Sequence, residues 1–190
     1  GICSAGATAE LLGVVPTPAV AYLTRLYHAD AGIVISASHN TVEYNGLKVF
    51  NGQGYKLADE IEEKIEERIL SAQPQELPSG IQLGRRVERA EAAEDYGNFL
   101  RQSADCSLKG LHIVLDTANG ASYKIAPQVF SALGAKVDCI GNAPDGTNIN
   151  DACGSTHPEK LQEAVKQLGA DLGLAFDGDA DRLIAVDEQG

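Results

Sequence analysis

The segment LHIVLDTANGASYKIAPQVFSALGAKVDCI, residues 111–140, decides the fold class of this chain. Its opening apolar run predicts a strand over Leu111–Asp116, and the apolar residues that follow predict a helix over Ser122–Leu133. A second apolar run predicts another strand over Ala135–Ile140. This strand–helix–strand order is typical of a right-handed crossover between parallel strands, so the segment predicts an α/β fold.

The same alternation continues towards the end of the chain. The pattern predicts a helix over Pro158–Leu168 and two further strands, over Asp171–Phe176 and Leu183–Val186. We therefore expect a mainly parallel sheet with helices on both faces. Because ligands lie beyond the carboxyl ends of the strands in such sheets, the residues after Phe176 are the first candidates for a functional site.

The N-terminal part of the chain predicts a similar mixture of elements. We expect a helix that begins at Thr17, with Thr17 as its cap and Pro18 in its first turn, and that ends near Tyr27. A strand is expected over Gly32–Ser36 and a helix over Ala58–Leu70. The second helix has a stripe of apolar residues at every fourth position, which we expect to contact the core: Leu57, Ile61, Ile65 and Ile69.

Two changes in composition suggest the domain organisation. A loop is predicted at residues 73–80, which contain two prolines and a glycine, and a polar helix is predicted over Glu88–Leu100. We place the domain boundary after this helix, at Ser103–Lys109, and expect domains over residues 1–103 and 104–190. The expected fold class is α/β, with two three-layer α/β/α domains whose mixed sheets are mainly parallel, the first domain being incomplete.

Charge and cysteine usage narrow the classes of function. The 190 residues include 15 Lys and Arg against 27 Asp and Glu, a formal net charge of -12 at pH 7. We expect no nucleic-acid or membrane partner, because binding to their phosphates requires positive charge. No apolar run could span a bilayer, no secretion signal is visible and the four cysteines are scattered, so we expect a cytoplasmic location. The chain begins at Gly1 and contains no methionine, so we expect it to be a piece of a longer protein.

A run of alternating aspartates follows the predicted strand that ends at Phe176. It reads Asp177-Gly178-Asp179-Ala180-Asp181-Arg182. Two unit charges about 4 Å apart repel by roughly 4 kcal/mol at an effective dielectric constant of about 20, so converging carboxylates need a cation or must turn into water. Oxygen ligands alone favour Mg²⁺ or Ca²⁺ over zinc. We expect a magnesium site here; the alternative is a hairpin loop whose acids face solvent.

Two other motifs share part of this pattern. An EF-hand loop that starts at Asp177 would have Glu188 as its last ligand, but Arg182 occupies the position that requires glycine, and the flanks predict strands. An aspartyl-nucleophile phosphatase also has a strand that ends in Asp-x-Asp. No lysine follows this loop in the chain, which counts against the phosphatase without removing it as an alternative.

A turn rich in hydroxyl groups follows the predicted strand Gly32–Ser36. It reads Ser36-Ala37-Ser38-His39-Asn40. The GxSxG motif of hydrolases is absent, and Ser38 is a candidate nucleophile or phosphate carrier, or else a helix cap. A phosphorylated Ser38 would supply the further oxygen ligand that Mg²⁺ held by three aspartates accepts. Farther along, Asn45-Gly46 predicts a tight turn before Lys48, which is either a phosphate contact or a surface charge.

Together, the two loops resemble those of the α-D-phosphohexomutase superfamily, Ser36–Asn40 its phosphoserine loop and Asp177–Arg182 its metal-binding loop. Three further stretches are similar to members that act on glucosamine phosphates: Pro16–Leu23, Asp145–Asn150 and Cys153–Glu159. The resemblance implies a four-domain isomerase that interconverts glucosamine 6-phosphate and glucosamine 1-phosphate through a phosphoserine and a bisphosphate intermediate. This chain would hold the later part of domain 1 and most of domain 2, and would be inactive alone.

The resemblance also implies roles for individual residues. Ser38 would carry phosphate, His39 and Lys48 are candidates for proton transfer and for stabilising the leaving oxygen, and Arg182 would contact phosphate. The implied Mg²⁺ ligands are Ser38, Asp177, Asp179 and Asp181. The implied substrate is a phosphorylated amino sugar, and the full-length enzyme could form a homodimer. The alternatives are a phosphoglucomutase or phosphomannomutase of the same superfamily, or a non-catalytic fragment that binds metal or phosphate.

Three residues depart from the superfamily pattern. Thr41 stands where proline usually follows His-Asn, Tyr44 stands where an acid usually precedes the Asn-Gly turn, and Ala180 stands where glycine is usual in the metal-binding loop. Alanine at the last position is a small change that is tolerated if its backbone keeps a negative φ.

Overall fold

The computed structural model describes residues 1–71 and 76–190, so part of the predicted loop at 73–80 lies outside the described residues. The strands are, in chain order, β1 (Ala9–Leu11), β2 (Ala31–Ser36), β3 (Gly46–Asn51), β4 (Arg86–Glu88), β5 (His112–Asp116), β6 (Lys136–Ile140), β7 (Leu172–Phe176) and β8 (Leu183–Asp187). The helices are α1 (Thr17–Leu26), α2 (Asp59–Leu70), α3 (Ala92–Ser103), α4 (Ile125–Ala132) and α5 (Glu159–Leu168). Across the two described ranges, none of these helices has the length and apolar character needed to cross a membrane.

Strands β5 to β8 form a four-stranded sheet in the second half of the chain. Its order is β6-β5-β7-β8, in which β6, β5 and β7 are parallel and β8 runs antiparallel to β7. Every strand and helix that the sequence predicts for this half is present close to its predicted bounds. The predicted α/β fold with mixed, mainly parallel strands is therefore confirmed.

Helices cover both faces of this sheet. The apolar cluster between the sheet and α5 consists of Val114, Leu161, Val165, Ala170, Ala175 and Val186. The cluster on the α4 side consists of Ile113, Leu115, Ala126, Ala135 and Leu174. Because successive strand residues point to opposite faces, Val114 packs on one side of the sheet while Ile113 and Leu115 pack on the other. This half is a three-layer α/β/α unit, and β5 and β7 end at the same edge of its sheet.

Two small sheets form the first half of the chain. β1 pairs with β4 in parallel, and β2 pairs with β3 in antiparallel fashion. Ala19 and Leu23 of α1 are buried in one apolar cluster with Val34 of β2. Tyr96 of α3 and Val129 of α4 belong to the same cluster. The two halves therefore share a core through α1, α3 and α4.

The predicted core contact of the α2 stripe is wrong. Within the described part of the chain α2 has no buried residue, and Ile61, Ile65 and Ile69 are 47%, 43% and 71% exposed. The helix itself forms as predicted, with acids in its first turn and a basic residue in its last turn, which suit its dipole. Its apolar side stays open because no described strand or helix makes extensive contact with it.

Leu161→Ala is expected to lower the free energy of unfolding by about 2–5 kcal/mol, because it leaves a cavity in the cluster under α5. Urea denaturation followed by circular dichroism measures this change. Leu168→Ala on the same helix is the matched control, because Leu168 is exposed and its loss should change the free energy by less than about 0.5 kcal/mol. Equal losses in the two variants would contradict this description of the core.

Candidate active site

The aspartate loop, residues 177–182, follows β7 at the edge of the sheet where β5 also ends. Asp177 and Asp179 are buried and Asp181 is exposed. One carboxylate oxygen from each of the three lies within 4.8 Å of the others. The end of this strand therefore gathers three acids into one cluster that could hold a cation.

The Asp177 carboxylate shapes this loop from within. Its Oδ1 atom accepts hydrogen bonds from the backbone N–H groups of Asp181 and Arg182, each at 3.1 Å. The Ala180 N–H donates to the Asp177 carbonyl oxygen at 3.0 Å, which closes a turn. Ala180 has a φ of +55°, so the negative φ at which alanine would be tolerated here is not present. The turn needs the left-handed backbone, which costs alanine roughly 1–2 kcal/mol and glycine much less.

Lys48 brings positive charge to the aspartates from the other half of the chain. Its Nζ atom lies 2.5 Å from Asp179 Oδ2 and 3.1 Å from Asp181 Oδ2. Burial opposes ionisation of Asp179, but hydrogen bonds from Lys48 and Thr17 outweigh it, so the pKa of that carboxyl lies below its usual value. Burial likewise would lower the pKa of Lys48, but its hydrogen bonds to the two aspartates raise that pKa above its usual value.

Two buried carboxylate oxygens have no hydrogen-bond partner among the described residues: Asp177 Oδ2 and Asp179 Oδ1. Burial, together with the charges of Asp179 and Asp181, raises the pKa of Asp177 above its usual value. A buried anionic oxygen without a donor is costly, and a hard divalent cation would satisfy both atoms. The donor set therefore fits Mg²⁺ or Ca²⁺ by its chemistry.

The serine loop, residues 36–40, begins at the end of β2 and lies against the aspartate loop. Ser38 has a φ of +54°, which is uncommon for a residue with a Cβ atom, and its N–H donates to Ser36 Oγ at 2.8 Å. Gly178 lies so close that a Cβ atom there would be 2.7 Å from the Ser38 carbonyl oxygen. The two loops that carry the candidate chemistry therefore touch across the two halves of the chain.

The connection between β2 and β3 differs from the sequence expectation. Asn45 has an extended backbone and Gly46 is the first residue of β3, so the predicted tight turn at Asn45-Gly46 is wrong. Ser36 pairs with Gly46, and residues 37–45 form a longer connection that contains Ser38. This connection leaves Lys48 near the start of β3, from where its side chain contacts the aspartates.

Asn150 holds the serine loop from the second half of the chain. Its Nδ2 group donates to the carbonyl oxygens of Ser38 at 2.8 Å and Asn40 at 2.7 Å. Asn150 is 4% exposed and has a φ of +55°. Sequence reasoning misses this role, and the one available signal is that Asn150 lies in the stretch Asp145–Asn150, which carries part of the family resemblance.

Thr17 is a second residue of the site that sequence reasoning misses. It is the first residue of α1 rather than its predicted cap, because Pro16 occupies the cap position. The Thr17 hydroxyl donates to Asp179 Oδ2 at 2.5 Å instead. Local pattern gives no signal for this contact, because the two residues are 162 positions apart.

His39 and Arg182 are held less closely than the other candidates. His39 is half-buried, and its Nδ1 atom has no hydrogen-bond partner within residues 1–71 and 76–190. The Arg182 side chain is 59% exposed, and its Nε atom lies 3.9 Å from Asp181 Oδ1. The structure thus gathers the serine loop, Lys48 and the three aspartates, and leaves the Arg182 side chain largely in solvent.

Gly178→Ala is expected to push the two loops apart, because the new Cβ atom would lie 2.6 Å from Asn150 Nδ2 and 2.7 Å from the Ser38 carbonyl oxygen. Overpacking of this kind lowers the free energy of unfolding by about 1–3 kcal/mol, which urea denaturation measures. Gly46→Ala is the matched control, since the nearest atom to its Cβ would be the Ser36 carbonyl oxygen at 3.9 Å. A Gly178→Ala variant as stable as this control would be incompatible with the described contact.

Two family models match the chain. One is described as phosphoglucomutase/phosphomannomutase, alpha/beta/alpha domain I, and matches residues 1–76. The other is described as alpha/beta/alpha domain II of the same family and matches residues 94–190. The matches follow each other in the order in which the two loops occur along the chain.

Known proteins resemble the chain over almost its whole length. The phosphoglucosamine mutases of Acetivibrio thermocellus and Clostridium botulinum (strain Eklund 17B / Type B) are 56% and 59% identical to it over 191 and 192 residues. The alignments cover the whole of this chain, and the chain spans only 42% and 43% of the relatives' own lengths. A phosphoglucomutase/phosphomannomutase family protein of Burkholderia thailandensis has a solved structure with 30% identity and a TM-score of 0.78, covering 99% of this chain and 42% of that one. These matches confirm the resemblance to phosphohexomutases, and the chain belongs to the phosphoglucomutase/phosphomannomutase family.

Proposed function

We propose that a full-length protein containing this chain is a phosphoglucosamine mutase, an isomerase that interconverts glucosamine 6-phosphate and glucosamine 1-phosphate. The observation that carries the proposal is the contact between the serine loop and the aspartate loop, in which the Ser38 carbonyl oxygen lies close to Gly178. The relatives of that name, 56% and 59% identical over the whole chain, support an amino sugar as the substrate.

In this proposal Ser38 carries the phosphoryl group. Phosphorylated Ser38 gives its phosphoryl group to the free hydroxyl of the sugar phosphate, so that an O–P bond to the sugar forms as the bond to Ser38 Oγ breaks. The sugar hydroxyl loses a proton and Ser38 Oγ gains one. The bisphosphate then turns round and returns its other phosphate to Ser38, which restores the starting enzyme.

Lys48 and His39 are the proposed groups for moving the proton and for stabilising the leaving oxygen. Lys48 contacts the aspartate cluster, and His39 directly follows Ser38 and has a partnerless Nδ1 atom within the described residues. Arg182 is proposed to contact phosphate, because its fork of donors matches phosphate oxygens and its side chain is largely exposed.

Asp177, Asp179 and Asp181, together with an oxygen of phosphorylated Ser38, are proposed to hold Mg²⁺. When bound there, the ion would neutralise negative charge on the phosphoryl group during transfer. The support from this chain is its pair of buried oxygens, one on Asp177 and one on Asp179, that the described donors leave unpaired.

The same proposal includes a domain boundary at Ser103–Lys109, with domains over residues 1–103 and 104–190. It also includes a cytoplasmic location and a homodimer of the full-length enzyme.

The alternative substrate is a neutral hexose phosphate, as expected for a phosphoglucomutase or phosphomannomutase. Rates of the full-length protein on amino and neutral hexose phosphates distinguish the two. Faster turnover of the neutral sugars would favour the alternative.

In the full-length protein, Ser38→Ala is expected to abolish turnover, because it removes the hydroxyl that carries the phosphoryl group. The intact mass of the native protein should include one phosphate that this variant lacks. Ser131→Ala removes an exposed hydroxyl on α4 and should change neither the rate nor the mass increment. Near-normal turnover by Ser38→Ala would exclude the carrier role.

Asp179→Asn is expected to weaken the binding of Mg²⁺ or Mn²⁺ to the chain by more than about 100-fold. Loss of a residue that only orients a metal ligand typically lowers metal affinity about 10–100-fold, and loss of the ligand's own charge should lower it further. Isothermal titration calorimetry measures the affinity. Asp59→Asn, which changes an exposed acid on α2, controls for the general loss of negative charge. Equal affinity in the Asp179→Asn variant and the unsubstituted chain would count against the metal site.

A further inference from the structure

Thr17 joins the first turn of α1 to Asp179 through two hydrogen bonds. Its Oγ1 atom donates to Asp179 Oδ2 at 2.5 Å, and its backbone N–H donates to the Asp179 carbonyl oxygen at 2.9 Å. Thr17 is 6% exposed and Asp179 is 2% exposed. The contact therefore restrains both the backbone and the carboxylate of one residue of the aspartate loop, at a place shielded from water.

The Thr17 hydroxyl holds one carboxylate oxygen of Asp179 while the other stays open. Thr17 and Lys48 both donate to Oδ2, whereas Oδ1 has no hydrogen-bond partner in the described ranges. A carboxylate held at one oxygen by a stiff β-branched side chain cannot turn freely about its terminal torsion. Lys48 gives a weaker restraint, because it has a long flexible stem and is 31% exposed. Thr17 is thus the rigid partner of this carboxylate.

Because Thr17 begins α1, its side-chain hydrogen bond can be removed by substitution without removing its backbone hydrogen bond. Thr17 is the first residue of a ten-residue helix, where backbone N–H groups have no partner within the helix. The Thr17 N–H is satisfied by the Asp179 carbonyl oxygen, and a substitution of the side chain leaves that bond possible. Only the hydroxyl bond to Oδ2 is lost when the side chain changes.

We infer that Thr17 is a positioning residue for the proposed metal site, and that its hydrogen bond to Oδ2 leaves Asp179 Oδ1 free to bind the cation. The inference rests on the proposed function, because it requires the aspartate cluster to bind a divalent ion. Partners that orient metal ligands typically contribute about 10–100-fold to metal affinity. Here that contribution comes from the opposite half of the chain, so the metal site depends on how α1 docks against the aspartate loop.

Thr17→Val tests the hydroxyl, because valine keeps the branched shape and the backbone N–H of threonine and has a similar helix propensity. Calorimetric titration of the chain with Mn²⁺ should give an affinity roughly 10-fold weaker for Thr17→Val. Thr17→Ser restores a hydroxyl and should bind Mn²⁺ nearly as well as the unsubstituted chain. Should Thr17→Val not fold, Thr17→Ala removes the same hydroxyl and takes its place.

Thr24→Val is the matched control. Thr24 is buried on the same helix, and its hydroxyl donates to the Val20 carbonyl oxygen at 2.7 Å rather than to the aspartate loop. This variant should lose stability in thermal unfolding without metal, yet keep its Mn²⁺ affinity. The comparison separates a loss of ligand orientation from a general loosening of α1.

Three results would count against this inference. Unchanged Mn²⁺ affinity in a folded Thr17→Val or Thr17→Ala variant would overturn the positioning role, and so would an equal loss of affinity in Thr24→Val. An unsubstituted chain that binds no Mn²⁺ would overturn the metal site itself. That last result is a failure of the proposed function, and it is distinguished from the first two by the behaviour of the unsubstituted chain.

Discussion

The close approach of three carboxylates at the end of one strand is the constraint on which the rest of the site depends. Two of them are buried, where like charges repel more strongly than in water. Backbone N–H groups of the loop compensate Asp177, and side chains from α1 and β3 compensate Asp179. Among the described residues, one oxygen on each buried aspartate has no hydrogen-bond partner, and these two atoms support the proposed cation site.

The two halves of the chain are joined in two different ways. On one side α1, α3 and α4 share an apolar core, which favours association without specifying an exact fit. At the aspartate and serine loops, Thr17, Lys48 and Asn150 make directed polar contacts between the halves. Hydrogen bonds tolerate little change in distance or angle, so these contacts set the alignment of the serine loop with the aspartate loop.

Local pattern predicts the second half of the fold well, because apolar runs and amphipathic helices identify β5–β8, α4 and α5 without reference to distant residues. The aspartate loop is visible for the same reason. The contacts of Thr17 and Asn150 join residues that are 162 and 112 positions apart, and the periodicity of apolar residues cannot predict contacts between such distant positions. The positive φ of Ala180 depends on a turn closed by Asp177, which composition does not reveal. The α2 stripe is a case in which the helix forms as predicted but its burial does not, because a helical pattern predicts an apolar side and not the neighbour that would cover it.

Asn150 makes the join between the halves sensitive to the chemistry of a single amide. Its Nδ2 group faces two carbonyl oxygens, those of Ser38 and Asn40. Hydrolysis of this amide to a carboxylate would replace the donors by an acceptor-only anion and set it against both carbonyls. Asn150 is buried, so the folded chain shields this amide from the water that its hydrolysis requires.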